Sequence, residues 1–294
     1  MRASDDLSSG KGHRDENFPV ASHLIAARHR PAVMAFYAVA RMADDIADHP
    51  TATPEDKLAR LATIEECLTG RSQAVTAAVR LRDVMAEHGL SSRHILDLLE
   101  AFRRDARQTR YADWAELMDY CRYSAAPVGR YVLDVHGEDR ATWPASDALC
   151  AALQVINHLQ DCGEDFRRLD RVYVPLDALA SAGATVSDLS AAQATPALLA
   201  VINGLAARTA ELLAASRPLA GQVKSTRLAL EIGVIQRIAI DLTKRLQRSD
   251  PLSERVHHRS LEAVGLAAAG AAGAMTLRLG GSAKTRSGAI GGVT

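Results

Sequence analysis

From about residue 31 to residue 247 of this 294-residue chain, apolar residues return every third or fourth position, and alternating β-branched runs bounded by turns are missing. A chain patterned in this way has helix faces to bury and almost nothing from which to build a sheet. The expected fold is therefore all-α, a single domain of packed helices. Helices are predicted at Pro31 to Ala47, Pro54 to Leu68, Ser72 to His88, Ser92 to Gln108, Asp113 to His136, Pro144 to Phe166, Pro196 to Ala215 and Val223 to Gln247. Their ends carry residues that start or stop helices. Gly89 and Gly137 follow helical runs, Thr195 precedes Pro196 in the N-cap and N1 arrangement, Asp113 and Glu116 have capping-box spacing, and Asp250-Pro251 closes the last long run.

Both ends of the chain read differently. Residues 1–16 are polar and mixed in charge, and are expected to be disordered; residues 17–264 are expected to form the folded domain. Beyond Gly265 the stretch LAAAGAAGAMTLRLGGSAKTRSGAIGGVT is rich in Ala and Gly, whose side chains bury too little surface to offset ordering the backbone, so 265–294 is expected to be a flexible tail. The start of the chain has no apolar core of a signal peptide, and no run of about 18 apolar residues able to span a bilayer is evident, so the expected location is the cytoplasm.

Charge excludes some functions. Lys plus Arg and Asp plus Glu number 35 each, so there is no global field to attract nucleic acid, and any anion must be bound locally. Cys67, Cys121, Cys150 and Cys162 lack the spacing of a zinc site or a disulfide framework and are expected to be reduced and mostly buried.

Two segments carry chemistry. In FYAVARMADDIAD, Asp44 and Asp48 lie four residues apart on one helix face, Asp45 borders that face, and Tyr37 and Arg41 continue the stripe toward the N-terminus. In LQVINHLQDCGEDFRRLDRVYVP, Asn157, Asp161 and Asp165 recur at every fourth position, with Glu164 beside them. Like charges at this spacing cost helix stability unless cations sit between them. Carboxylate and amide oxygens in a partly hydrated site suit Mg2+, which binds through a few carboxylates and the phosphates of a substrate. Either stripe alone is more often a solvated helix face; two stripes on otherwise apolar helices point to a lined cavity. Bridged by magnesium to a diphosphate, they would stabilise the charge that develops as a carbon–oxygen bond breaks, with Arg41 and Arg171 adding charge-assisted hydrogen bonds or merely pairing with a nearby Asp.

These segments resemble the squalene/phytoene synthase family, as do ENFPVAS (Glu16 to Ser22), DYCRYSAAPVGR (Asp119 to Arg130) and DRVYVP (Asp170 to Pro175), from about Asn17 to about Arg245. The resemblance implies the isoprenoid synthase helical fold with a central cavity. It also implies metal ligation by Asp44, Asp45, Asp48, Asn157, Asp161 and Asp165, and diphosphate or substrate contacts at Tyr37, Arg41, Tyr120, Arg171 and Tyr173. Within the family the likeness is to the hopanoid-pathway branch, in which presqualene diphosphate ionises, rearranges and is captured by water to give hydroxysqualene.

One departure from the pattern is Gln160, where many members have Arg beside the leaving group; this fits an enzyme that processes a preformed intermediate better than one that condenses two prenyl diphosphates. Gln160 itself is expected at the substrate. No nicotinamide motif is present. A non-catalytic helical assembly factor is the reading from another class, and the intact acidic residues argue against it. Residence at a membrane surface, favoured by a long hydrocarbon substrate, and contact with the upstream presqualene diphosphate synthase are left open.

Pro127 lies inside a helical run and cannot donate to the carbonyl of Tyr123. A kink at Ala126-Pro127, with Gly129 permitting close approach, is expected to turn backbone oxygen toward the cavity or simply to aid packing. His158 and the pair His257-His258 have no ligand spacing and are expected to be structural or at the surface.

Overall fold

The computed structural model describes residues 25–258 and 260–288, and among these the chain is all-α, as expected. The only extended pairing in the described residues is an isolated bridge between Arg110 and Val172. The expected disorder of residues 1–16 and the motif at Glu16 to Ser22 lie outside the described residues.

The N-terminal half folds as α1 (Arg30–Ala47), α2 (Pro54–Leu68), α3 (Thr76–Glu87), α4 (Arg93–Asp105), α5 (Trp114–Ser124) and α6 (Ala126–Val135). The rest comprises α7 (Trp143–Gln160), α8 (Cys162–Leu169), α9 (Leu176–Ala182), α10 (Pro196–Ser216), α11 (Leu219–Gln222), α12 (Thr226–Leu246) and α13 (Ser260–Gly288). The expected caps at Asp113 and Thr195 form, and Ser225 caps α12 as well; each accepts a hydrogen bond from a backbone N–H three residues on.

Two helices predicted as continuous are divided. Between α5 and α6 the chain breaks at Ala125 (φ −119°, ψ −47°), and Pro127 falls in the first turn of α6, where its missing N–H costs nothing. Between α7 and α8 it breaks at Asp161 (φ −102°, ψ 5°). A Cβ at Gly129 would stand 2.5 Å from Cys150 Sγ and 2.6 Å from Ser146 Oγ, so glycine there lets α6 lie close against α7.

The buried apolar side chains form two clusters. One, with Val39, Leu61, Leu81 and Leu99, joins α1 to α4; the other, with Ile156, Ile202, Leu205, Ala229 and Leu242, surrounds α7, α10 and α12. The seam between the clusters holds the cavity described below. Cys67, Cys121 and Cys162 are buried and Cys150 half-buried, all as free thiols.

Two sequence expectations are corrected. α10 is long and apolar enough to cross a membrane by length and composition, contrary to the reading above. Its Leu198, Val201, Leu205 and Leu213 are buried against the second cluster while Arg208 and Glu211 are exposed, which is the pattern of a core helix. The Ala/Gly-rich stretch read as a flexible tail is helical through Gly288. Its small residues allow backbone contact with α12: a Cβ at Gly270 would stand 2.4 Å from the Gly233 carbonyl oxygen, and one at Gly233 would stand 2.5 Å from that of Gly270. The missing side-chain surface is thus replaced by close helix–helix approach. Arg278 then donates to the carbonyls of Val223 (2.6 Å) and Lys224 (3.0 Å).

Gly270→Ala forces a methyl into backbone that has no rotamer with which to yield. It should destabilise the protein by about 1–3 kcal/mol in thermal or urea denaturation and speed proteolytic trimming of α13. An unchanged melting temperature and trimming rate would contradict this packing.

Candidate active site

A cavity of about 450 Å³ lies at the seam, walled mostly by apolar side chains of α1, α4, α6, α7 and α12, among them Phe36, Phe102, Leu149 and Ile232. One edge is polar: Tyr37, Arg41 and Asp44 of α1 line it, with Gln154 of α7 on the wall as well. The first stripe therefore borders a greasy hollow, as its position on an apolar helix implied. Arg41 donates to Asp44 (3.1 Å) and to Asp45 (2.8 Å).

Asp48 is the C-cap of α1 and donates its backbone N–H to the Asp44 carbonyl at 2.8 Å, which keeps the two residues one turn apart. Its carboxylate accepts from Arg171, a residue only 5% exposed. The other terminal nitrogen of Arg171 donates to the Ala47 carbonyl at 2.7 Å, and Lys57 Nζ reaches the same oxygen at 2.8 Å. Two cations thus stand at the C-terminal end of α1, where the helix dipole favours them.

The second stripe keeps its helical spacing across the α7–α8 break. Asp161 N–H donates to the Asn157 carbonyl at 2.9 Å, and Asp165 N–H to that of Asp161 at 2.8 Å. Arg171 joins the stripes: its backbone N–H donates to the Asp165 carbonyl at 3.2 Å while its side chain holds Asp48. The stripes do not, however, form a ready-made cluster. Asp161 lines a separate polar hollow with Glu164, Arg167 and Arg255, and no group of three or more His, Cys, Asp or Glu among the described residues is placed to hold a metal ion by itself. The donor set is oxygen only, and a few carboxylates completed by water and substrate phosphate is the mode that magnesium uses, so the residues fit that ion when it arrives with a diphosphate.

Three expected substrate contacts have side chains that hydrogen-bond within the protein. Gln160 is buried, donating its side-chain amide to the Val256 carbonyl, and lines the polar hollow rather than the apolar cavity. Tyr120 and Tyr173 are buried and are not among the residues lining the cavity, and their hydroxyls donate to Asp105 at 2.8 Å and 2.9 Å. A buried phenol needs an acceptor, and an aspartate at the end of α4 supplies it more firmly than a transient ligand would. Burial, and then the charge of Asp105, pushes both phenol pKa values well above the ordinary range. These hydroxyls stay protonated.

Asp105 is the residue that sequence reasoning missed. It lies inside the predicted helix Ser92 to Gln108, belongs to neither stripe and bonds only residues from other elements, so only the fold reveals its environment. Burial, and the Asp48 charge to a lesser degree, hold its pKa above the ordinary carboxylate range despite the opposing Arg171 charge and the two phenol donors. For Arg171, burial opposes the charge, but Tyr173, Asp105 and Asp48 more than offset this and raise its pKa. His158 packs flat on Tyr173 at 3.6 Å between ring centroids, the structural role expected of it.

The squalene/phytoene synthase family model matches residues 12–262. The chain belongs to the squalene/phytoene synthase family. It is an isoprenoid-diphosphate-processing synthase, and its helical architecture is the one expected from that resemblance. The hydroxysqualene synthase of Rhodopseudomonas palustris is 55% identical over 90% of each chain. That of Zymomonas mobilis is 54% identical over 91% of each. Among solved structures, a squalene synthase from Alicyclobacillus acidocaldarius matches with a TM-score of 0.70 at 34% identity, covering 80% of this chain and 90% of that one.

Burial, with a smaller contribution from the Arg171 charge, lowers the His158 pKa to about 3 from an ordinary 6.5. The unfolded chain binds the extra proton first, so the stability this ring supplies is complete above pH 6.5 and declines as pH falls toward 3. The slope is about 1.4 kcal/mol per pH unit. In urea denaturation, His158→Phe should lessen the loss of stability on acidification within that window; an unaltered slope would show that other groups carry it.

Proposed function

We propose that this protein is a hydroxysqualene synthase, converting presqualene diphosphate and water to hydroxysqualene and diphosphate. The observation that carries the chemistry is an apolar cavity whose polar edge is Tyr37, Arg41 and Asp44. Such a site can take hydrocarbon inside and keep a charged head group at the acidic stripes. The choice among synthases rests on the likeness to hydroxysqualene synthases along nine-tenths of the chain.

Asp44, Asp48, Asn157, Asp161 and Asp165, with Asp45 beside them, would hold magnesium, which supplies positive charge to the leaving diphosphate. Arg41 and Arg171 add fixed positive charge at the same stripes. The apolar wall excludes bulk water, so a cation formed inside is not quenched at once. Phe36, stacked on Tyr131, and Phe102 are aromatic side chains on that wall that would be available to a cation. A single admitted water then forms the new carbon–oxygen bond and loses a proton. Ser124, Val128 and Gly129, on either side of the α5–α6 break, also line the cavity.

Incubation of the purified protein with magnesium and presqualene diphosphate in ¹⁸O-water should give hydroxysqualene carrying one heavy oxygen. Asp44→Asn and Asp161→Asn should each lower kcat by about 10²–10³ without unfolding the protein. Turnover of farnesyl diphosphate alone would instead establish a condensing synthase, and no joint stabilisation by magnesium and diphosphate would indicate a non-catalytic helical protein.

A further inference from the structure

Capture of a cation by water sets a demand that the acidic stripes do not meet. A cation enclosed by hydrocarbon loses a proton or collapses back onto diphosphate unless one water already stands with a lone pair toward it. A buried water needs about 2–4 polar partners to stay in place. Several polar side chains of the cavity wall are already committed: Arg41 holds Asp44 and Asp45, Gln154 meets the His158 ring at 3.2 Å, and Ser146 bonds Cys150. Ser124 differs. It lines the cavity, and its Oγ is buried with no hydrogen-bond partner among the described residues. An unmet hydroxyl inside a protein costs free energy, so its presence calls for a ligand that completes it. Ser124 is the last residue of α5, a helix that carries neither acidic stripe. The chain then breaks at Ala125, and Pro127 has no N–H to give the Tyr123 carbonyl four residues back. That carbonyl belongs to the peptide group joined to Ser124, so a second acceptor stands beside the hydroxyl.

We infer that Ser124 is the positioning residue for the water that captures the cation, a role that rests on the hydroxysqualene synthase reading given above. In that reaction the carbon–oxygen bond of presqualene diphosphate breaks with both electrons on the leaving oxygen. The water oxygen gives a lone pair to the rearranged cation as the new carbon–oxygen bond forms, and one water proton ends on the released diphosphate. A water that donates its hydrogen bonds to the Ser124 Oγ and the Tyr123 carbonyl keeps its lone pairs toward the hydrocarbon, which is the orientation a nucleophile needs. Both holders are neutral. A carboxylate in their place would act as a base toward the cation and favour loss of a proton to give a hydrocarbon; a hydroxyl is too weak a base for that. The side chain at position 124 thus sets whether the cation ends as an alcohol or as a hydrocarbon.

The test is the product distribution formed by the full-length protein from presqualene diphosphate and magnesium chloride. Mass spectrometry gives the ratio of alcohol to hydrocarbon within each sample, so the readout does not depend on how much turnover survives. Wild-type protein should give mainly hydroxysqualene. Ser124→Ala should lower the ratio by about three- to tenfold, the worth of one hydrogen bond. Threonine keeps the hydroxyl and valine replaces it by a methyl in nearly the same shape, so Ser124→Thr should retain the alcohol while Ser124→Val loses it as alanine does. A Ser124→Ala protein with a changed melting temperature but a wild-type ratio would assign the hydroxyl a purely structural role and overturn the proposal. If Ser124→Ala does not fold, the threonine and valine variants decide: a higher ratio for threonine supports the role, and equal ratios overturn it. A wild-type protein that forms no hydroxysqualene would overturn the functional reading itself, an outcome distinct from failure of the Ser124 role.

Discussion

Arg171 bonds two parts of the chain that are far apart in sequence, and the geometry of the acidic site follows from that contact. Its backbone is tied to Asp165 on α8, and its guanidinium to Asp48 and the Ala47 carbonyl at the end of α1. Removing one partner from a pair this enclosed leaves the other charge uncompensated, at a cost of about 3–5 kcal/mol. An ion pair so placed adds little net stability relative to apolar packing, but it fixes which end of α1 meets which end of α8. The separation of the two apolar clusters is the complement of this constraint: packing closes around each set of helices and leaves a seam, and the arginine defines one end of it.

The seam also explains why the site is not preassembled. Four or five carboxylates brought together without cations would repel one another in a medium of low polarity. The fold limits this by pairing Asp44 and Asp45 with Arg41 and Asp48 with Arg171, while Asp161 lines a polar hollow that also holds Arg167 and Arg255. The acidic residues are therefore compatible with a folded protein before substrate arrives, and the diphosphate with its cations is what would gather them.

The all-α class, the caps at Asp113 and Thr195 and both acidic stripes were legible because each depends on local spacing. A period of four residues survives a change of helix direction, and so the second stripe persists across the break at Asp161. What was not legible depends on contacts across the fold. Gln160 was placed at the substrate from its position beside Asp161, but adjacent residues on a helix point about 100° apart, and its amide turns to Val256 instead. The stretch after Gly265 was read as a tail because Ala and Gly bury little surface; glycines on two helices, Gly233 and Gly270, instead allow contact between backbones, which no single-helix pattern announces. Asp105 is the extreme case, since all of its partners come from other elements.

The tyrosines show why family motifs locate residues better than they assign roles. The hydroxyls of Tyr120 and Tyr173 are committed to Asp105 and their pKa values are raised by burial, so neither is suited to proton transfer near neutral pH. Their rings pack with Tyr111 and His158 into an aromatic block around Asp105. A block of this kind has few rotamers to lose, so it can hold a buried carboxyl group in place with little reorganisation while ligands come and go. Precision at the acidic helices is in this sense a property of the core beneath them, and the arginine is where the core and the site meet.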